Sequence, residues 1–320
     1  MAISGISLYV ITLVVLSTLL NFLSIVVLIK KLKADLQIRH ALLISLAVSD
    51  ICTGVIGFPL EMFRLSDASC IAAGYLVTFF SLVSITHLSA LALERCFSIS
   101  KPFLARTLSG KRTSFIATLS VCWMYGGLWA SFPMFGWGNY SYESRTNHRC
   151  SIEITSKEKT IMSYNYTLLV FCYVIPIAVM VISLMVAKRE MSGMTNRIKI
   201  STGKNSKQSE NTAKQERTFT TVVLVMLASF VTAWTPYAFC VFASSIQVNI
   251  PPIALDVSAY LGKSAIIHNP VIYVFLYKQF RLGLVKVILT CFRIDSSSIM
   301  PMQSTAVNSK MDASQIPTTM

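Results

Sequence analysis

Charge is scarce in this chain. Only 13% of its 320 residues are Asp, Glu, Lys or Arg, against 54% hydrophobic, whereas a soluble domain carries about 25% charge. With a mean hydropathy of +0.62, this excludes a mainly soluble protein. Acid is scarcer still: 14 Asp and Glu stand against 28 Lys and Arg. The net charge of +14 is not a nucleic-acid footprint, because the basic residues fall in alternate gaps between apolar runs. No internal repeat is present, so an inverted-repeat transporter is not supported. No metal site is expected. A basic leader before the first apolar run is also missing. That run is too long for a cleaved signal and is followed by Lys30, Lys31 and Lys33, so it reads as an uncleaved helix.

Seven apolar runs reach spanning length: 6–29, 41–63, 71–97, 113–135, 161–187, 218–245 and 253–277. Lysine and arginine crowd the gaps after runs one, three, five and seven, while the basic residues of the opposite loops are offset by Glu143, Glu153 and Glu158. The positive-inside rule puts the N-terminus outside and the C-terminus in the cytoplasm. The expected fold is an all-α membrane protein: a seven-transmembrane helix bundle with a short amphipathic eighth helix over 278–292, lying on the inner leaflet lipid. Residues 1–293 form this domain, and 294–320 read as a disordered cytoplasmic tail. The basic segment 188–217 is expected to be helical at both ends and mobile in the middle.

Of eight cysteines, Cys70 and Cys150 both fall on the extracellular side, where oxidation is permitted, and are the one pair to join. Cys291 is cytoplasmic and suits palmitoylation. Asn139 opens a glycosylation sequon; a second at Asn165 lies close to the membrane.

Polar residues inside the runs carry the functional signal. Lys263 lies about ten residues, roughly 15 Å, from either end of its span. Snorkelling cannot cover that distance, and a charge at this depth is costly. Burial favours the neutral amine of a lysine, the form that does Schiff-base chemistry. Asn21, Asp50 and Asn269 lie in three different spans. They make either one buried polar cluster or three local helix contacts, and the cost of unpaired polar groups favours the cluster. Glu94-Arg95 ends the third span and Glu216 begins the sixth, so Arg95 can pair with both; the alternative is an ordinary interface arginine. Prolines at 59, 133, 176, 236 and 270 bend five spans.

Seven spans with Asp50, Glu94-Arg95, Trp123, Pro176, Trp234-x-Pro236 and Asn269-Pro270-x-x-Tyr273 resemble the rhodopsin-type G-protein-coupled receptors. Lys263, six residues before Asn269, narrows the resemblance to opsins. It is most similar to the non-visual neuropsin and peropsin types. The resemblance implies retinal, 11-cis or all-trans, held as a Schiff base on Lys263 in a pocket lined by Trp234 and Tyr237. It also implies a Cys70–Cys150 disulfide, a resting-state lock of Arg95 with Glu216, and an activation switch at Asn269, Pro270 and Tyr273, with Glu94, Arg95 and Glu216 counted in the same switch. The implied location is the plasma membrane. A heterotrimeric G protein is the implied partner, with arrestin and a receptor kinase acting through the tail and no nucleic acid.

Several positions depart from the family pattern. Few residues precede the first span, and the segment from Asp50 to Cys70 is short by roughly two helical turns, which suggests a trimmed chain or an incomplete sequence. Cys96 follows Glu94-Arg95 where an aromatic is usual. Leu184 stands where most opsins have tyrosine. Ala73 replaces the glutamate that visual opsins of vertebrates place three residues after the helix-three cysteine. A protonated Schiff base needs a nearby anion, and the candidates rank Glu143, then Glu61, then Asp256. Two functions are weighed. The first is a light-sensing receptor that activates a G protein, not an enzyme. The alternative is a retinal photoisomerase with little signalling, motivated by Leu184. The cytoplasmic motifs favour the receptor.

Overall fold

The computed structural model describes residues 5–34, 37–62, 66–109, 111–142, 150–200 and 206–291. Among them are six helical stretches long and apolar enough to cross a membrane. The first crossing is α1 (Gly5–Ala34). The second is α2 (Ile38–Cys52), which continues through a π turn at Thr53–Gly57 into α3 (Phe58–Met62). The third is α4 (Asp67–Ser100). After a short α5 (Pro102–Ser109), the fourth is α6 (Arg112–Ser131). The fifth joins α7 (Lys159–Leu169) to α8 (Ile175–Ile200) through a π turn at Val170–Val174, and the sixth is α9 (Ser206–Ser245).

The seventh span differs from the single helix expected over 253–277. It is α10 (Pro252–Lys263) followed by α11 (Ala265–Leu276), interrupted at Ser264. The Ser264 hydroxyl donates to the Leu261 carbonyl at 2.7 Å, so a side chain competes with the helix for that acceptor. The backbone there shortens to i→i+3 bonds, Ser264 to Leu261 and Ile267 to Ser264, both 3.1 Å.

The prolines explain the other irregularities. Each of the two π turns ends two residues before a proline, Pro59 or Pro176. Proline removes an N–H and crowds the carbonyl four residues back, and a wider turn relieves both. Freed carbonyls inside a membrane need new donors. Tyr125 of α6 donates to Phe171 in the second π turn at 2.9 Å. Pro270 frees the carbonyl of Ile266, and Asn21 of α1 donates to it at 2.9 Å.

The long α4 runs through the middle of the bundle and packs on α2, α6, α8 and α9. Ser66 and Ser69 form a reciprocal cap at its start, which sets the helix three residues before Cys70. Leu42, Leu46 and Leu91 are fully buried between crossings, while Leu19, Met124, Phe239 and Phe275 point outward, as a bilayer-facing surface requires. The fold is not purely helical. Tyr140–Tyr142 (β1) pairs antiparallel with Cys150–Ile152 (β2), and the hairpin packs against α4. Gly74 allows that approach, since a Cβ there would lie 2.7 Å from the Tyr140 ring.

After the bundle, α12 (Lys278–Cys291) is the amphipathic helix. Phe280 and Val287 are buried and Leu282 and Val285 exposed. Arg281 donates to the carbonyls of Val274 and Phe275 at the end of α11, at 3.3 and 2.5 Å, which satisfies acceptors that a helix end leaves open. Helices extend into the basic segment 188–217 from both sides, to Ile200 and from Ser206. The tail expected over 294–320 lies outside the described residues.

Candidate functional site: a buried lysine in an apolar cavity

Lys263 ends α10 and is only 6% exposed. Its Nζ forms an ion pair with Glu61, whose side chain is 8% exposed, and lies 4.5 Å from the centroid of the Phe58 ring. Phe58 and Glu61 are three residues apart on α3, so they share a face. The amine thus touches a ring face and a carboxylate supplied by one helical turn.

The pair stands at one side of an apolar cavity among the crossings, the kind of concave, apolar space in which small molecules bind. Leu82 and Ile85 of α4, Cys172 of the fifth crossing and Trp234 and Tyr237 of α9 line it. Ser151 and Ile152 of the hairpin also line it. The Cys70–Cys150 disulfide ties the hairpin to the start of α4, so the shortened segment before Cys70 still leaves that cysteine in place. Tyr140 supports the hairpin by donating to the Ala130 carbonyl at 2.8 Å. Trp234 stacks on Phe230 and meets Tyr237 edge-on, with centroids 6.1 and 6.2 Å apart.

Of the three carboxylates ranked from sequence, Glu61 is in the cavity wall. Asp256 is half-buried on α10 and is not among the lining residues. Glu143 lies outside the described residues. Ala73 is fully buried.

A second, smaller space lies beside the first and shares Lys263 and Trp234 with it. Here the structure brings Asp50 and Asn269 together, with Asn269 Nδ2 donating to Asp50 Oδ2 at 3.1 Å. Ser84 donates to Oδ1 at 3.2 Å. Asn21 does not reach the carboxylate. It donates to Ser17, at the carbonyl and hydroxyl, and to Ile266, and Ser17 donates to the Asp50 carbonyl at 3.4 Å. Ser17 and Ser84 carry no sequence signal, because serine bonding its own helix is common.

At the end of the bundle away from the hairpin, Arg95 is completely buried. It pairs with Glu94, through Nε at 2.6 Å, and with Glu216. Arg39, at the start of α2, also holds Glu216, at 3.0 and 3.1 Å. Both guanidiniums lie over the Phe219 ring, 4.6 Å for Arg95 and 5.4 Å for Arg39. Sequence reasoning missed Arg39, which looks like any basic loop residue. Pro270 bends α11, and Tyr273 is buried against Phe280 with its hydroxyl unbonded among the described residues. Leu184 is buried.

Of the modification sites, Asn139 is exposed and donates to Glu153 at 3.0 Å. Asn165 is buried and donates to the Glu153 carbonyl, so its sequon is inaccessible in the folded chain. Cys291 closes α12, and its side chain is outside the described set.

The sequence matches the family model "7 transmembrane receptor (rhodopsin family)" over residues 20–273. The chain belongs to that family and is a multi-pass membrane protein. Within the family its relatives are opsins. It is 29% identical to the long-wave-sensitive opsin 1 of Felis catus over 258 residues, 77% of this chain and 68% of that one. It is 28% identical to the red-sensitive opsin of Gallus gallus over 296 residues, 88% of this chain and 78% of that one. The fold is that of squid rhodopsin, with a TM-score of 0.76, 23% identity, and coverage of 91% of this chain and 87% of the other. These relatives do not support the expected neuropsin and peropsin likeness.

Proposed function

We propose that this receptor senses light by holding retinal as a Schiff base on Lys263 and that it activates a heterotrimeric G protein. The single observation that carries the reading is a nine-tenths buried amine in the wall of an apolar cavity. Retinal would supply light absorption and a change of shape. This chain's residues would supply the rest: Lys263 the covalent anchor, Trp234 and Tyr237 a packed wall, and the hairpin a cover that keeps water from the nitrogen.

The cytoplasmic end supports signalling over a photoisomerase. Arg95 with Glu94 and Glu216 spans the third and sixth crossings, as a resting-state clasp on α9 must. The clasp and Asn269-Pro270-x-x-Tyr273 would face a G protein in the cytoplasm, with the N-terminus and the Asn139 sequon outside the plasma membrane. Arrestin and receptor kinase partners rest on family resemblance alone.

The test uses the full chain reconstituted with 11-cis and all-trans retinal in separate samples. The expected results are a covalent adduct trapped by acid denaturation, a spectrum that changes on illumination, and light-dependent nucleotide exchange on a G protein. An adduct that forms equally in Lys263→Ala would overturn the anchor. A photosensitive adduct that drives no exchange on any G-protein class would favour the photoisomerase.

A further inference from the structure

The cavity raises the question of which anion serves the Lys263 nitrogen. We propose that Glu61, on the second crossing, is the counterion that holds the proton on that nitrogen once it carries retinal, with the Phe58 ring as its second support. This rests on the reading of Lys263 as the retinal anchor, and it reverses the order drawn from sequence.

Geometry carries the assignment. Among the described residues that line the cavity, Lys263 and Glu61 are the only charged ones. Their side chains are 6% and 8% exposed, so little solvent screens the pair. The position follows from local backbone. The π turn at Thr53–Gly57 and Pro59 redirect the end of the second crossing. Gly57 lets it close on α4, because a Cβ there would stand 2.9 Å from Val77 Cγ2. The next turn then sets Phe58 and Glu61 against Lys263 together.

The charge persists through anchoring. An ammonium nitrogen carries three hydrogens. Joining it to an aldehyde expels one water, which takes two of those hydrogens and the carbonyl oxygen. One hydrogen and one positive charge stay on the same nitrogen, so Glu61 keeps its partner without a new anion being brought in. In a low-dielectric wall the neutral nitrogen is otherwise favoured.

The test has two arms. In the first, wild type, Glu61→Gln, Glu61→Asp, Glu143→Gln and Asp256→Asn are reconstituted with 11-cis retinal and their spectra titrated with pH. A visible band is expected for the wild type at neutral pH. Glu61→Gln should absorb in the ultraviolet there and regain the visible band only on acidification. Glu61→Asp should keep a visible band, and Glu143→Gln and Asp256→Asn should leave it unchanged. Ultraviolet absorption by the wild type at neutral pH, or bleaching in Glu143→Gln with Glu61→Gln unchanged, would overturn the proposal.

The second arm needs no retinal. Reductive methylation of Lys263 is followed by mass spectrometry in chromophore-free protein. Removing the carboxylate takes away the amine's ion-pair partner and should speed methylation by about tenfold or more, and Glu61→Asp should restore most of the protection. Unchanged methylation in Glu61→Gln would overturn the pairing. Failure of wild type to form any acid-trapped adduct, with this second arm positive, would instead sink the retinal reading and leave the pair standing.

Discussion

Two regions of the described chain hold ion pairs in the bundle interior, and they are built differently. At the cavity one lysine meets one glutamate and one ring, joining the seventh crossing to the second. At the opposite end of the bundle from the hairpin two arginines share Glu216, one of them also holds Glu94, and both cover Phe219. A compact ammonium can be deprotonated and can form a covalent bond; a guanidinium stays charged, presents a rigid fork and stacks on rings. The first region is suited to chemistry on its nitrogen. The second is suited to holding helices until something stronger pulls them apart, and it has a redundancy that the first lacks.

That contrast is open to experiment. The largest effect is expected for Lys263→Ala, which should lose the acid-trapped adduct entirely, since no other lysine in the sequence lies at mid-membrane depth. The adduct is read by mass spectrometry after denaturation.

Glu216→Gln comes next. It removes the carboxylate that both arginines share and leaves Arg95 with Glu94 alone, and breaking a buried pair typically costs about 3–5 kcal/mol. Glu216 is partly open to solvent, so about 1.5 kcal/mol is expected, or roughly tenfold more nucleotide exchange in the dark. Unchanged dark exchange would show that this region is not a clasp. Arg39→Leu should raise dark exchange less, about two- to fivefold, because Arg95 remains. An effect of Arg39→Leu equal to that of Glu216→Gln would refute the redundancy.

A last comparison, read as stability and not as signalling, concerns the pair itself. In chromophore-free protein, Glu61→Gln alone strands a buried charge and should lower Tm. Glu61→Gln with Lys263→Met removes both charges and should recover about 1–4 kcal/mol of that loss. Recovery would mean that the pair is kept for its chemistry. No recovery would mean that it is a structural strut like its cytoplasmic counterpart.

Much of this was legible in the sequence. Apolar run length and charge asymmetry gave the crossings, because a bilayer leaves few other solutions. Lys263 and Arg95 stood out as isolated charges at depth or at a span end. What was not legible depends on how bends add up. The approach of Glu61 to Lys263 needs a π turn, a proline and a glycine to act together across two crossings. The three-residue strands carry too little pattern to read. Arg39 is marked only by the carboxylate that it meets. Asn21 looked like a partner for Asp50, yet part of its work is to satisfy the carbonyl that Pro270 frees.

The interruption at Ser264 adds a mechanical consequence. A continuous helix behaves as a rod, and a force at its midpoint is shared along its whole length. Here Lys263 is the last residue before the break, and the segment that carries Asn269 and Tyr273 begins two residues later. Torque applied through the lysine would pass to the lower half through a turn held by two i→i+3 bonds, not through an unbroken helical ladder, and such a turn is where a helix yields first.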